Sequence, residues 1–182
     1  FECVIKNSTI IPRDFVKRFI ICLLRTRYLF DFYIIKREFV GDAAKDGRWS
    51  LKDICSSGQG GKKKALYRPT NVVAEGCWYN EQHNEDILML QAAMRVSYTS
   101  PKAMHWITEL LIWLTDCFLG RSPEGWIYED IVNDVAKEPV IEFMNNKENI
   151  YLGVATPHIV LNYLDYLLWK KNTKIDFDFA FR

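Results

Sequence analysis

The chain has 182 residues and a net charge of +1, and 49% of its residues are hydrophobic and 14% aromatic. Because such a composition buries a large apolar surface, it excludes a globally disordered chain. The longest uninterrupted apolar runs, such as Phe19–Leu24, are far shorter than the roughly 20 residues that a membrane-spanning helix needs, so we expect no membrane partner.

The charge is divided unevenly along the chain. Residues 1–80 contain 15 basic and 8 acidic side chains, a net charge of +7, whereas residues 81–182 contain 9 and 15, a net charge of −6. This asymmetry indicates either an anionic partner for the basic half or two halves that neutralise each other on folding. The five cysteines show no C-x-x-C spacing, which favours reduced thiols in the cytoplasm and argues against a metal site.

The first predicted element is a long helix that runs from Phe15 to about Val40 and stops at Gly41. Its apolar residues recur at roughly helical spacing. Five basic side chains give it a basic side: Lys17, Arg18, Arg25, Lys36 and Arg37.

Residues 41–79 show no periodicity, and we predict a long non-helical loop there. Within it, Ser56–Lys64 is rich in glycine and then basic. Glycines allow a backbone to approach phosphate and lysines release counterions, so this string could contact the DNA backbone without reading sequence. The alternative is an ordinary solvated loop. The candidate DNA contacts are Lys62, Lys63, Lys64 and Arg68.

Three hydroxyl-proline pairs, Ser100-Pro101, Ser122-Pro123 and Thr156-Pro157, predict helix starts, because a hydroxyl caps the first turn and proline suits it. Since proline breaks a helix interior, Pro139 should end the third helix and leave a short one around Val140–Asn146. The predicted helices are Asp86–Tyr98, Pro101–Phe118, Trp126–Lys137 and Pro157–Lys171.

The Pro157–Lys171 helix is apolar almost all round, which predicts that it lies at the centre of the core. Asn162 and Asp165 interrupt it, three residues apart and therefore on one face. We interpret them as a structural polar pair that bonds to neighbouring backbone. The alternative is a functional pair, for example in a small hydrolase that also uses His158.

In the tail, Lys174–Arg182, apolar residues alternate with Asp176, Asp178 and Ala180, the pattern of a half-buried strand. No partner strand follows, and the first methionine is Met89. We therefore expect residues 1–182 to form a single helical domain that is an internal fragment of a larger protein.

The predicted fold class is thus all-α, an irregular bundle of about five to six helices with a long non-helical loop and a short C-terminal strand. The sequence contains no G-x-S-x-G, phosphate-binding loop or H-E-x-x-H motif, and the residues alone therefore point to no catalytic and no metal-binding residue.

Four stretches, in their order along the chain, together resemble the helical region of bacterial GmrSD-type modification-dependent restriction endonucleases. The stretches are Arg27–Glu38, Leu88–Tyr98, Leu161–Lys171 and Phe177–Arg182. The resemblance covers about three quarters of the chain, skips the glycine-lysine loop and rests on no single diagnostic motif.

The resemblance implies an N-terminal domain that hydrolyses a nucleoside triphosphate and a C-terminal HNH nuclease domain that cuts foreign phage DNA with a divalent metal. The D-G-Q-Q-R-type and V-E-H-like motifs of those domains are not present in this sequence. The fragment itself would therefore hold no cofactor, and would scaffold or couple the flanking domains in the cytoplasm. The alternative is a stand-alone helical module that binds protein or nucleic acid.

Overall fold

A computed structural model describes residues 12–38, 47–57, 64–69, 81–120 and 125–172, together with Phe177 and Phe179. The predicted all-α class is confirmed, with short antiparallel strands added. The elements in chain order are α1 (Pro12–Tyr33), β1 (Lys36–Glu38), β2 (Arg48–Ser50), β3 (Lys52–Ser57), β4 (Lys64–Pro69), α2 (Glu81–Ser97), a 3-10 turn (Pro101–Ala103), α3 (His105–Gly120), α4 (Gly125–Asn145), a 3-10 segment (Lys147–Ala155) and α5 (His158–Lys171).

Helix α2 lies at the centre of the bundle and packs against both α4 and α5. Its small residues Ala92 and Ala93 let neighbouring helices approach closely. Its buried side chains come from more than one face of the helix: Asp86, Ile87, Met89, Leu90, Gln91, Ala92, Ala93 and Met94.

The prediction that the last helix is central was wrong. Helix α5 buries one face, formed by Ile159, Tyr163, Tyr166 and Trp169. On the opposite side Leu161, Leu164 and Leu168 are about half exposed. A helix that is apolar all round can lie at the centre of a core, but in this bundle α2 occupies the central position.

Helix α1 ends at Tyr33 and not near Val40, and residues 36–38 form β1. Strand β1 pairs antiparallel with β2, so that Arg37 lies opposite Trp49 with its guanidinium over the Trp49 ring. The intervening Ile34 and Ile35 are buried. The backbone therefore leaves the helical conformation after Tyr33, because pairing with β2 and burial of the two isoleucines stabilise it more than continued helix would.

A buried polar network fixes this chain reversal. Oε1 of Gln91 accepts a hydrogen bond from the backbone N–H of Ile35 at 3.0 Å, and its Nε2 donates to the carbonyl oxygen of Tyr33 at 2.9 Å. The hydroxyl of Tyr128 on α4 also donates to that carbonyl, at 3.0 Å. Since Gln91 and Tyr128 are fully buried, the backbone groups after α1 are satisfied without water.

The predicted loop 41–79 is non-helical where it is described, but it is not without structure. Strand β3 pairs antiparallel with β4, so that Ser57 lies opposite Lys64. Neither this hairpin nor the β1–β2 pair was predicted, because their strands are short and lack a clear alternation of apolar and polar residues.

Several of the predicted helix boundaries need correction. Helix α2 begins at Glu81 and not at Asp86, and α3 begins at His105 and not at Pro101. Helix α4 continues through Pro139 to Asn145, since packing against α2, α3 and α5 outweighs the loss of one backbone hydrogen bond. Thr156 ends the 3-10 segment, and no side chain caps α5. Ser100 accepts a hydrogen bond from the backbone N–H of Lys102 and caps the 3-10 turn Pro101–Ala103, but the helix predicted to start there begins only at His105. Ser122-Pro123 lies outside the described residues.

Of the segment predicted to be a C-terminal strand, the structure describes Phe177 and Phe179, and neither of them lies in a strand. Phe179 is buried and Phe177 is partly exposed, and the two rings pack edge to face. The indole N–H of Trp49 donates to the backbone carbonyl of Phe179 at 2.6 Å. The tail is thereby attached to β2. Within the described part of the chain, no helix is long and apolar enough to cross a membrane.

Replacing Gln91 by Leu should lower the free energy of unfolding by about 2 to 3 kcal/mol, because the buried N–H of Ile35 loses its acceptor. Denaturant unfolding followed by circular dichroism measures this change. Tyr128→Phe keeps the packed ring and leaves the Tyr33 carbonyl bonded to Gln91, so it should cost less, about 1 kcal/mol. Equal losses for the two variants would contradict the assigned role of Gln91.

Candidate functional site

A partly buried charge cluster joins α2, α4 and α5 near the end of α5. The ammonium group of Lys170 lies 2.9 Å from Oδ2 of Asp86 and 3.1 Å from Oε1 of Glu129. It also donates to the hydroxyl of Tyr166 at 3.3 Å. The side chain of Asp86 is only 4% exposed, whereas that of Lys170 is 45% exposed. One lysine thus pairs with two carboxylates that belong to different helices.

The electrostatics of the cluster favour protonated Lys170 and neutral Tyr166. Burial lowers the pKa of Lys170, but its hydrogen bonds to Asp86 and Glu129 more than offset this effect, so the pKa is raised. Burial, with the charge of Asp86, raises the pKa of Tyr166 to about 12. Both pKa values are higher in the folded state than in the unfolded state. The contribution of the protonated cluster to the free energy of unfolding is therefore complete below about pH 10, and it is lost as the pH rises through the folded-state pKa values.

These protonation states limit the chemistry of the cluster. A lysine whose pKa is raised keeps its proton at neutral pH and cannot act as a nucleophile or base, and a neutral tyrosine is no base either. The cluster therefore holds three helices together through Lys170, and neither Lys170 nor Tyr166 serves as a base in it. Among the described residues, no group of three or more His, Cys, Asp and Glu side chains could hold a metal ion.

Two of the four candidate DNA contacts, Lys64 and Arg68, lie on strand β4. Lys62 and Lys63 lie outside the described residues, Lys64 begins β4, and Arg68 lies opposite Asp53 in the hairpin. The backbone positions of Lys64 and Arg68 therefore place these residues on one hairpin. Their contact with DNA stays a prediction.

Asn162 and Asp165 occupy different environments on α5. The side-chain amide of Asn162 donates to the hydroxyl of Ser97 on α2 at 2.8 Å, and that hydroxyl donates to the carbonyl of Ala93. Asp165 and His158 are exposed. Asn162 thus bonds to a side chain of a neighbouring helix, where the sequence had indicated a backbone partner, and its amide joins α5 to α2.

A surface that the sequence reasoning missed lies on the outer side of α5. We call Leu161, Leu164 and Leu168 the leucine face; they follow one another at intervals of three and four residues and are 50%, 52% and 56% exposed. Before it in the chain, Tyr151 and Val154 in the 3-10 segment are also strongly exposed. Apolar groups at helical spacing are typical of a protein-binding surface. Sequence periodicity could not reveal this face, because α5 is apolar on its buried side as well.

Comparison with known proteins adds no relative: no family model, curated protein or solved structure gives a significant match to this chain.

Lys170→Met should lower the free energy of unfolding by about 1 to 2 kcal/mol, because it removes the cation from a buried carboxylate while the exposure of Lys170 limits the effect. Lys171→Met removes the same charge from the neighbouring exposed position and should change stability by less than about 0.5 kcal/mol. Chemical denaturation at neutral pH measures both. Equal stabilities of the two variants would show that the cluster does not hold the helices together.

Proposed function

We propose that this chain is a non-catalytic helical region of a cytoplasmic bacterial restriction endonuclease that cleaves modified phage DNA. In this proposal it scaffolds or couples a nucleotide-binding domain and a nuclease domain, as its resemblance to GmrSD-type enzymes implies. The structural observation that carries the proposal is the exposed leucine face of α5, opposite a fully packed side of the same helix.

The positions of the resembling stretches support a scaffold. Gln91, in Leu88–Tyr98, bonds to two backbone groups within Arg27–Glu38. Asn162, in Leu161–Lys171, bonds to Ser97 of the same central stretch. Three stretches that are distant in sequence are therefore connected by hydrogen bonds in one core. These bonds would couple a displacement of one stretch to the other two.

The leucine face supports contact with another domain. Three leucines, each at least half exposed, lie on one side of a helix whose other side is held by the core and the charge cluster. Burying such a surface against a neighbouring domain stabilises the contact by roughly 25 cal/mol for each Å² of apolar area. In the proposed enzyme, the occupant of the leucine face is one of the flanking domains.

The divalent metal and the nucleoside triphosphate of the proposed parent enzyme would bind in the flanking domains. No residue of this chain is assigned to either, because the motifs that would hold them are not part of its sequence. The chain's own contribution is to position those domains.

Sequencing the gene on both sides of the region encoding Phe1–Arg182 tests the parent assignment directly. We expect a D-G-Q-Q-R-type motif before it and a histidine-containing HNH segment after it.

In such a parent, Leu164→Glu with Leu168→Glu should abolish phage restriction, because charges cannot be buried in an apolar contact. The same pair should change the stability of the isolated chain by less than about 0.5 kcal/mol, since both positions are exposed.

Ile112→Glu is the matched control, because Ile112 on α3 is 58% exposed but lies on another helix, and it should leave restriction intact. Full restriction by the double variant would refute the role of the leucine face. Flanking genes without either motif would refute the parent enzyme and favour the alternative, a stand-alone helical binding module.

We further propose that four basic residues contact the DNA backbone: Lys62 and Lys63, and Lys64 and Arg68 on strand β4. Replacing the three lysines by alanine should weaken binding to duplexes of any sequence and reduce the salt slope of log K by roughly 3. Fluorescence anisotropy at several salt concentrations measures both quantities. An unchanged affinity and slope would rule out this contact.

A further inference from the structure

Most of helix α1 projects from the core. Its last turns pack on α3 and β3, and Leu29 is the first buried residue. Every described side chain from Val16 to Arg25 is exposed. Within the described residues these apolar side chains face solvent, which indicates that another surface covers them.

One side of α1 combines an apolar seam with positive charge. Ile21, Leu24 and Tyr28 are spaced i, i+3, i+7 and line a concave surface of about 400 Å³ together with Arg25 and Leu29. Ile21 is 52% exposed and Leu24 65%. Lys17, Arg18 and Arg25 lie along and beside this seam. We call this side of α1 the basic seam.

Helix α4 carries the complementary surface. Asp134, Glu138 and Glu142 follow one another at intervals of four and share one exposed side of the helix. Ile141 lies between them and is 47% exposed. With Val135 and Lys137 these residues line a groove of about 510 Å³. We call this side of α4 the acidic face.

We propose that the basic seam of one molecule docks on the acidic face of α4 in a second copy of this chain. In this contact Ile141 packs against Ile21 and Leu24, and the carboxylates of Asp134 and Glu138 face the cations of α1. This inference is independent of the proposed function, because it uses neither the leucine face nor the β3–β4 hairpin.

Charge decides which occupant fits. From Arg13 to Tyr28, α1 contains five basic side chains and one acidic side chain, Asp14, so two basic seams would repel each other. The acidic face supplies the opposite sign with an apolar residue at its centre. The whole chain has a net charge of only +1, so copies are not kept apart by overall repulsion.

Two charge-reversal variants test the contact by sedimentation velocity as a function of protein concentration. Arg18→Glu with Arg25→Glu reverses the basic seam, and Asp134→Lys with Glu138→Lys reverses the acidic face. All four positions are exposed, so circular dichroism should show an unchanged fold. We expect the wild-type chain to self-associate, less so at high salt, and each variant to associate at least about tenfold more weakly.

Mixing the two variants should restore association, because one molecule retains an intact acidic face and the other an intact basic seam. Lys102→Glu with Lys147→Glu, which reverses two exposed charges elsewhere, should associate like the wild type. A wild-type chain that stays monomeric, a mixture that fails to associate, or self-association that survives both reversals would overturn the proposal. Binding of the wild type to anionic lipid vesicles without self-association would also overturn it and assign α1 to a lipid surface.

Discussion

The arrangement of this protein depends on one buried side chain, Gln91. Where the chain leaves α1, a backbone carbonyl and a backbone N–H point into the core, and both would be costly to bury unpaired. The amide of Gln91 satisfies both groups, and Tyr128 reinforces the carbonyl. Because Gln91 belongs to the central helix and Tyr128 to α4, this pairing places the end of α1 and strand β1 on the bundle. Strand β2 and the attachment of the tail through Trp49 follow from that placement.

Side-chain size explains why α2 and not α5 lies at the centre. Alanines at the middle of α2 allow other helices to approach from more than one side, whereas α5 offers bulky tyrosine, tryptophan and leucine side chains. The aromatic side of α5 fills the space beside α2, and its leucines therefore remain outside. The surface that we regard as functional is thus a consequence of how the core is filled.

Charge is used in two different ways. Inside the bundle, Lys170 lies between Asp86 and Glu129, and its hydrogen bonds to these two carboxylates raise the pKa of the lysine although burial lowers it. Outside it, basic side chains collect on α1 and acidic ones on α4. The uneven charge seen along the sequence is therefore distributed over separate helices. The separation of basic and acidic side chains on different helices permits attraction between molecules. The inner cluster holds α2, α4 and α5 together.

Local sequence patterns were sufficient to predict the helical class, the non-helical character of the loop region where it is described, and the hydroxyl cap at Ser100, because periodicity and capping act within a few residues. These patterns did not locate the end of α1, the passage of α4 through Pro139, the two antiparallel strand pairs or the central helix. Those features depend on partners that are distant in the chain, such as Gln91, which lies 56 residues from Ile35. The charge cluster and the leucine face were also decided by tertiary structure alone, because no local pattern states which side of a helix its neighbours will cover.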